Sequence, residues 1–199
     1  MRSFIKVFPL LGLLLLVVLW ALGRALPSRL EVSRTLVVLD EPDVVFGHAS
    51  DLRRWPDWLV GPDAEVTFSG PGNEAGSRMV LSLEDGQKVI VELVEVRPPS
   101  MSGASPMTSG EAARVEYRHW SQARESDSVQ GSIAFRPHQE DGTAVRLTEQ
   151  VHMRGATQRW MAFLFGDLMM GQVLDRELHN LKSFVETGRT HAVTRGARR

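Results

Sequence analysis

Residues 157–186 of this chain, TQRWMAFLFGDLMMGQVLDRELHNLKSFVE, decide its fold. Apolar side chains recur through this stretch at the spacing of an α-helix. Gly188 follows at the position where a glycine commonly closes a helix. The pattern predicts one long helix, from about Thr157 to Glu186, as the last element of the folded domain.

The two halves of this predicted helix differ in where their apolar side chains point. From Val173 onward they fall within one stripe, as expected of a surface helix with one buried side. The first half is apolar on every face, through Trp160, Met161, Phe163, Leu164, Phe165, Leu168, Met169 and Met170. Two interpretations stay open for this half. Either the turn at 51–58 and nearby loops cover its outer side, or it forms an apolar entrance to a cavity.

The chain ahead of this helix alternates between apolar and polar residues, as β-strands do. A first strand is predicted from Glu31 to Asp40, and Pro42 can begin a short helix after it. A turn with two tryptophans follows at 51–58. Further strands are predicted at 64–69, 77–84, 88–96, 112–121, 129–136 and 143–153. A long polar loop at 98–110 interrupts this series.

Four segments in this order carry a resemblance to a known family: 51–58, 66–70, 142–149 and 178–182. Together they resemble the START-like helix-grip superfamily (SRPBCC), in its polyketide cyclase/dehydrase branch, over about residues 31–187. The resemblance implies an α+β fold in which a curved antiparallel β-sheet wraps around a long C-terminal α-helix, with an apolar cavity between them. The loop at 98–110 is longer than the tight connection common in that family. Such folds serve several functions, so function has to be argued from the site.

Glu149 is the most informative polar residue of the predicted sheet. Side chains alternate between the two faces of a strand, which places Glu149 in one row with Leu147 and Val151. An acid in an apolar row needs a partner, because burying an isolated charge is costly. Glu149 can hold the polar group of a ligand or act as an acid. Alternatively, it lies near an open end of the strand and meets Arg118 or Arg154.

Tyr117 and His119 share one face of the predicted strand 112–121 with Val115 and are the other polar candidates. A structural hydrogen bond is the alternative to a functional role for each. With the apolar residues around them, the predicted ligand-binding residues are Phe46, Tyr117, His119, Leu147, Glu149, Phe163, Leu164 and Met169.

The N-terminus contains seventeen residues without a charge, 7–23, bounded by Lys6 and Arg24. As a helix they would be about 26 Å long, near the lower limit for crossing a membrane. The predicted membrane segment includes Val7, Leu14, Trp20 and Gly23. A cleaved signal peptide is the alternative, since small residues at 21 and 23 suit a cleavage site. A buried core helix fits poorly, because the segment is apolar on every face.

Basic residues lie on both sides of this segment, so the charge rule for orientation nearly cancels. A short charged N-terminal tail usually stays cytoplasmic. We therefore expect a single-pass signal anchor with the soluble domain outside the cytoplasm, on the periplasmic side. The predicted organisation is an anchor and short linker at 1–30, a START-like ligand-binding domain at 31–187, and a disordered basic tail at 188–199.

The composition excludes several kinds of site. The chain has 199 residues, a formal net charge of −1 and no cysteine, which rules out disulfides, thiolate metal sites and cysteine nucleophiles. Its six histidines lack metal-ligand spacing, and no nucleotide-binding or serine-hydrolase motif is present. Basic residues are scattered, which argues against nucleic acid. We therefore predict no metal and no cofactor, and we assign no residue as catalytic.

Three functions remain open from the sequence. The first is a membrane-tethered protein that binds or transfers a small hydrophobic molecule or lipid. The second is an enzyme of cyclase, aromatase or dehydratase type that uses Glu149 with Tyr117 or His119. The third is a non-catalytic module whose cavity is filled by side chains and which binds a partner. The sequence specifies neither the ligand nor the oligomeric state.

Overall fold

The computed structural model describes residues 2–60, 65–83, 85–99, 113–138 and 142–188. Side chains are described from Leu13 onward, with Val60 excepted. Most of the predicted loop at 98–110, the basic tail from 189 onward and the side chain of Val7 therefore lie outside the described residues.

Seven strands form a single antiparallel sheet in the order β1-β7-β6-β5-β4-β3-β2. They are β1 Arg29–Val38, β2 Glu65–Ser69, β3 Arg78–Ser82, β4 Lys88–Arg97, β5 Ala113–Ser121, β6 Val129–His138 and β7 Gly142–His152. All the predicted strands are present, with ends shifted by a few residues. Strands β1 and β7 pair although they are far apart in sequence, which joins the first strand to the end of the meander.

The helices are α1 Arg2–Ala25, α2 Pro42–Ala49, α3 Ala156–Met161 and α4 Asp167–Thr187. A π-helical turn, Ala162–Gly166, joins α3 to α4, so the predicted long helix is continuous over 156–187. It ends as expected: Gly188 adopts a left-handed φ of 62°, and its N–H donates to the Phe184 carbonyl at 2.9 Å. These elements confirm the α+β helix-grip fold.

The core lies between the concave face of the sheet and α4. Leu174, Leu178 and Leu181 form the buried stripe of α4, as predicted, and pack with sheet residues such as Phe135 and Leu147. Each such leucine contributes roughly 2 kcal/mol through burial of its apolar surface. The stripe therefore fixes which side of α4 faces the sheet.

The two tryptophans of the 51–58 turn belong to this core and do not cover the first half of the long helix. Trp55 and Trp58 are buried, and Trp55 Nε1 donates to the Ala49 carbonyl at 2.8 Å. The apolar side chains of the first half are mostly exposed, namely Met161, Phe163, Leu164, Phe165, Leu168 and Met169. Of the two interpretations of this half, coverage by the turn is therefore wrong.

Helix α1 is packed against α3. Trp160 Nε1 donates to the Leu19 carbonyl at 2.9 Å, and Arg159 donates to the carbonyls of Arg24 in the last turn of α1 and of Leu26 just after it. A cation suits this position, because the carbonyls there carry the negative end of the helix dipole.

Among the described residues, no helix combines the length and the apolarity needed to cross a membrane.

Candidate functional site

Four polar side chains lie between the sheet and α4: Tyr117 and His119 of β5, Glu149 of β7 and Glu177 of α4. Strand β6 lies between β5 and β7. In the register, Gly131 of β6 stands opposite both Tyr117 and Glu149. Tyr117, Gly131 and Glu149 thus lie side by side across the sheet, and the central residue has no side chain.

Hydrogen bonds join the side chains of Tyr117, His119 and Glu149, which together form the buried polar row. The Tyr117 hydroxyl donates to Glu149 Oε1 at 3.0 Å, and His119 Nε2 lies 3.3 Å from the same oxygen. The rings of Tyr117 and His119 are stacked, with centroids 6.2 Å apart. The Glu149 side chain is only 13% exposed, so it is a mostly buried carboxylate held by two neighbours.

Electrostatics sets the protonation of two members of the cluster. Burial, followed by the nearby charges of Glu149 and Glu177, raises the pKa of Tyr117 well above its ordinary value. Burial, followed by the charge of Glu149, raises the pKa of Glu177 to about 8, against a smaller opposing effect of Arg176. At neutral pH the phenol and the Glu177 carboxyl are therefore both protonated and can donate.

The wall of the site next to Tyr117 is aromatic. Trp55 meets the Tyr117 ring edge-on, with centroids 5.0 Å apart, and Trp58 lies 5.4 Å from Trp55. The buried indole nitrogen of Trp58 has no hydrogen-bond partner among the described residues. Such a group is uncommon in a folded core.

The chemistry available to this arrangement is hydrogen bonding and proton transfer. Glu149 is an acceptor, while Tyr117 and the protonated Glu177 are donors. Two titratable groups near one reacting atom are what general acid–base catalysis requires. Among the described residues, no group of three or more His, Cys, Asp or Glu side chains is arranged to hold a metal ion.

The structure brings together three of the predicted ligand-binding residues, Tyr117, His119 and Glu149. Leu147 is buried in the core two residues before Glu149. Phe46 is half-buried on α2 and packs edge-on against Phe135, with centroids 5.7 Å apart.

The remaining predicted ligand-binding residues, Phe163, Leu164 and Met169, are each more than half exposed on the first half of the long helix. They do not join the buried polar row. Their predicted role in ligand binding therefore depends on which molecule contacts that exposed surface.

Neither arginine considered as a partner for Glu149 contacts it. Arg118 pairs with Glu92 at 3.1 Å, and Arg154 pairs with Asp127 at 3.7 Å. Adjacent residues of a strand point to opposite faces, so Arg118 lies on the other side of the sheet from Tyr117 and His119. The burial of Glu149 is therefore supported by a phenol and an imidazole.

Glu177 and Gly131 are site residues that were not predicted from the sequence. Glu177 follows Leu174 by three residues and precedes Leu181 by four, so it stands at a position of the buried stripe. An acid within an apolar stripe was the available signal. Gly131 lies inside a predicted strand, where an isolated glycine often marks a close approach of another group.

The fold is similar to that of several solved structures. Norcoclaurine synthase from Thalictrum flavum, in complex with dopamine and hydroxybenzaldehyde, has a TM-score of 0.56 at 11% identity, covering 83% of this chain and 91% of that one. The Zhui aromatase/cyclase from Streptomyces sp. R1128 has a TM-score of 0.54 at 14% identity, covering 79% and 94%. Protein CV1439 from Chromobacterium violaceum has a TM-score of 0.51 at 16% identity, covering 80% and 99%. At such identities the similarity concerns the fold.

Comparison of the sequence identifies the family more specifically than the solved structures do. The comparison with curated proteins finds no match. A family model described as polyketide cyclase / dehydrase and lipid transport matches residues 29–186, which contain the whole sheet and nearly all of the long helix. The chain therefore belongs to the polyketide cyclase/dehydrase and lipid transport family.

Proposed function

We propose that this chain is a membrane-tethered protein that binds or transfers a small hydrophobic molecule or lipid between the sheet and α4. The observation that carries the proposal is the row of Tyr117, His119 and Glu149, in which a phenol and an imidazole converge on one mostly buried carboxylate oxygen. Buried polar groups are costly, and a cluster of them in an apolar interior suits the polar group of a ligand.

The chemistry of the row indicates the kind of ligand. Glu149 can accept from a hydroxyl or amine, and the protonated Glu177 can donate to a carbonyl or hydroxyl. The aromatic pair Trp55 and Trp58 packs beside Tyr117 and makes that side of the row apolar. The dopamine and hydroxybenzaldehyde in the norcoclaurine synthase complex are of this type, with an aromatic body and hydrogen-bonding groups.

Three features support the membrane tether. The segment 7–23 carries no charge, and the described side chains from Leu13 to Trp20 on α1 are exposed and apolar. Only three residues separate the end of α1 at Ala25 from the start of β1 at Arg29. A domain attached so closely would lie at the membrane surface, and in the proposed orientation it lies outside the cytoplasm.

Fractionation of cells that express the full chain tests the tether. We expect the chain in the membrane fraction after alkaline carbonate washing, with an intact mass that includes residues 1–30. Release by carbonate, or a mature chain that begins after Gly23, would contradict the tether and leave the binding proposal standing.

Co-purification tests ligand binding. The full chain is extracted from its native host in mild detergent, and the bound small molecules are identified by mass spectrometry. We expect a reproducible apolar species whose recovery falls about tenfold in Glu149→Leu, because the hydrogen bonds to the carboxylate are lost. The matched control is Glu116→Leu on the same sheet, whose acid pairs with Arg114 instead. A folded chain that retains no small molecule would favour the partner-binding alternative.

An enzyme of cyclase or dehydratase type is the second candidate, favoured by one observation. Glu149 Oε1 has two titratable neighbours, and the pKa of Glu177 is raised to about 8, near the pH at which a general acid or base works. The test is Glu149→Gln, which keeps the shape of the side chain. Turnover of the co-purified molecule should be lost while its binding is retained; unchanged turnover excludes this mechanism.

A further inference from the structure

We infer that the groove between α1 and α3 binds an acyl chain of an anionic phospholipid, with the phosphate of that lipid beside Arg24. This inference rests on the proposed membrane tether but concerns a different site from the buried polar row. The groove has a volume of about 520 Å³. Leu16, Val17 and Trp20 of α1 line one side of it, and Trp160, Met161 and Leu164 line the other.

The contacts that join α1 to α3 lie at one end of the groove. Trp160 Nε1 donates to the Leu19 carbonyl at 2.9 Å, which ties α3 to the backbone of α1. At Gly23 the helices approach so closely that an added Cβ would lie 2.8 Å from the Trp160 ring. The Arg159 guanidinium donates to the Arg24 carbonyl, near the end of α1, at 2.7 Å. The contacts are concentrated toward the C-terminal end of α1, and the groove extends from there along its apolar side chains.

The surface around the groove is apolar and exposed. Leu16 is 64% exposed, and on the facing wall Met161 and Leu164 are 52% and 58% exposed. Monomeric soluble proteins rarely show so many large apolar side chains together, and such a surface usually meets a membrane or a partner. The neighbouring side chains of α1 belong to the proposed membrane segment. A hydrocarbon chain can therefore enter the groove sideways from the bilayer without crossing water.

One end of the groove is cationic. The guanidinium carbon of Arg24 lies 5.1 Å above the ring of Trp20, which itself lines the groove. Arg24 is exposed, and among the described residues no carboxylate lies within ion-pair distance of it. Tryptophan and arginine are typical of the membrane interface, where lipid phosphates lie. An apolar groove that ends at the exposed guanidinium of Arg24 matches an amphipathic, negatively charged molecule.

Photo-crosslinking of the full chain in lipid nanodiscs tests this inference. The probe is phosphatidylglycerol with a diazirine on its acyl chain, in a phosphatidylcholine background, and the adducts are mapped by mass spectrometry. We expect adducts concentrated on the peptide that contains α3 and Leu164, and on the facing side of α1.

Two exposed leucines provide a matched pair of variants. Leu164→Asp places a charge in the groove and should lower the adducts on α3 about tenfold. Leu168→Asp changes a side chain of similar exposure, 60%, that does not line the groove, and should leave these adducts within about twofold of the wild type. Arg24→Gln should weaken capture of the phosphatidylglycerol probe about fivefold, with partial recovery in Arg24→Lys.

Each other outcome would overturn the inference. Adducts spread evenly around α1, or equal loss in the two leucine variants, would show a helix that simply faces lipid. Crosslinks between two copies of the chain through this face would identify a protein interface instead. Adducts confined to the peptides that carry Tyr117 and Glu149 would support the proposed function and contradict the groove. A chain that carbonate releases from membranes contradicts both the tether and the groove.

Discussion

The ring of Tyr117 lies over the backbone of Gly131, so close that a Cβ on that glycine would overlap the ring. Tyr117 and Glu149 are on strands separated by β6, so roughly two strand spacings, about 9.6 Å, lie between their backbones. The hydrogen bond between them can form only because Gly131 leaves the space between them empty. The candidate site therefore depends on a residue without a side chain.

Gly131→Ala should disturb the site without removing any polar group. The methyl group displaces the Tyr117 ring, so we expect a loss of about 2–4 kcal/mol in the free energy of unfolding, from overpacking and the lost hydrogen bond. Denaturant titration measures this. Gly47→Ala is the matched control, because an added Cβ at Gly47 meets no atom within 4 Å. If Gly131→Ala is as stable as Gly47→Ala, the position of the Tyr117 ring does not depend on the missing side chain at Gly131.

Glu177 should make the stability of the chain decrease with rising pH. Its pKa is about 8 in the folded chain, against an ordinary value of 4.5, so the folded state holds this proton more tightly. Between these two pKa values the unfolded chain has already lost this proton, while the folded chain keeps it. Raising the pH therefore favours the unfolded chain, and the free energy of unfolding decreases. The effect is at most about 1.4 kcal/mol for each unit of pKa difference, and partial exposure of the side chain reduces it.

The substitution Glu177→Gln removes the titrating group. In denaturant titrations at a series of pH values, we expect a flatter dependence between about pH 5 and 8, and a variant more stable than the wild type at the alkaline end. Glu186→Gln, on the same helix and paired with Lys182, serves as the control. An unchanged slope in Glu177→Gln would assign the pH dependence to other groups.

Tyr117 can be followed by itself, because it is the one tyrosine in the chain. Its raised pKa predicts no tyrosinate absorbance near pH 10, the ordinary range for a phenol, and ionisation only at higher pH or with alkaline unfolding. Glu149→Gln and Glu177→Gln each remove a negative neighbour and should lower the pKa of Tyr117. Ordinary titration of the folded wild type near pH 10 would contradict the burial of this ring.

The junction between α1 and α3 should lose rigidity in Gly23→Leu. The larger side chain would displace Trp160, whose ring leaves no room for a Cβ at Gly23, and would break the hydrogen bond to Leu19. The absence of native cysteines allows a clean spin-label pair at introduced cysteines on α1 and α4. We expect a narrow distance distribution that broadens in Gly23→Leu. Gly47→Leu, with open space around it, should leave the distribution narrow.

The sequence was sufficient for the order of elements and for the faces of the strands. Strand alternation and helical spacing are local patterns, so they located β7 and the buried stripe of α4 to within a few residues. They also placed Glu149 on the inward face. The same local patterns could not show that the first half of the long helix stays exposed, since exposure depends on what packs against it.

What only the tertiary structure decided is which inward-facing residues meet. Tyr117 and Glu149 are 32 residues apart in sequence, and their contact follows from the order β5-β6-β7 and from the register at Gly131. The proton on Glu177 likewise depends on the packing of α4 over the sheet, because burial is what raises its pKa. Periodicity assigns each side chain to a face; strand pairing and helix packing determine its neighbours, and the chemistry of this site depends on those neighbours.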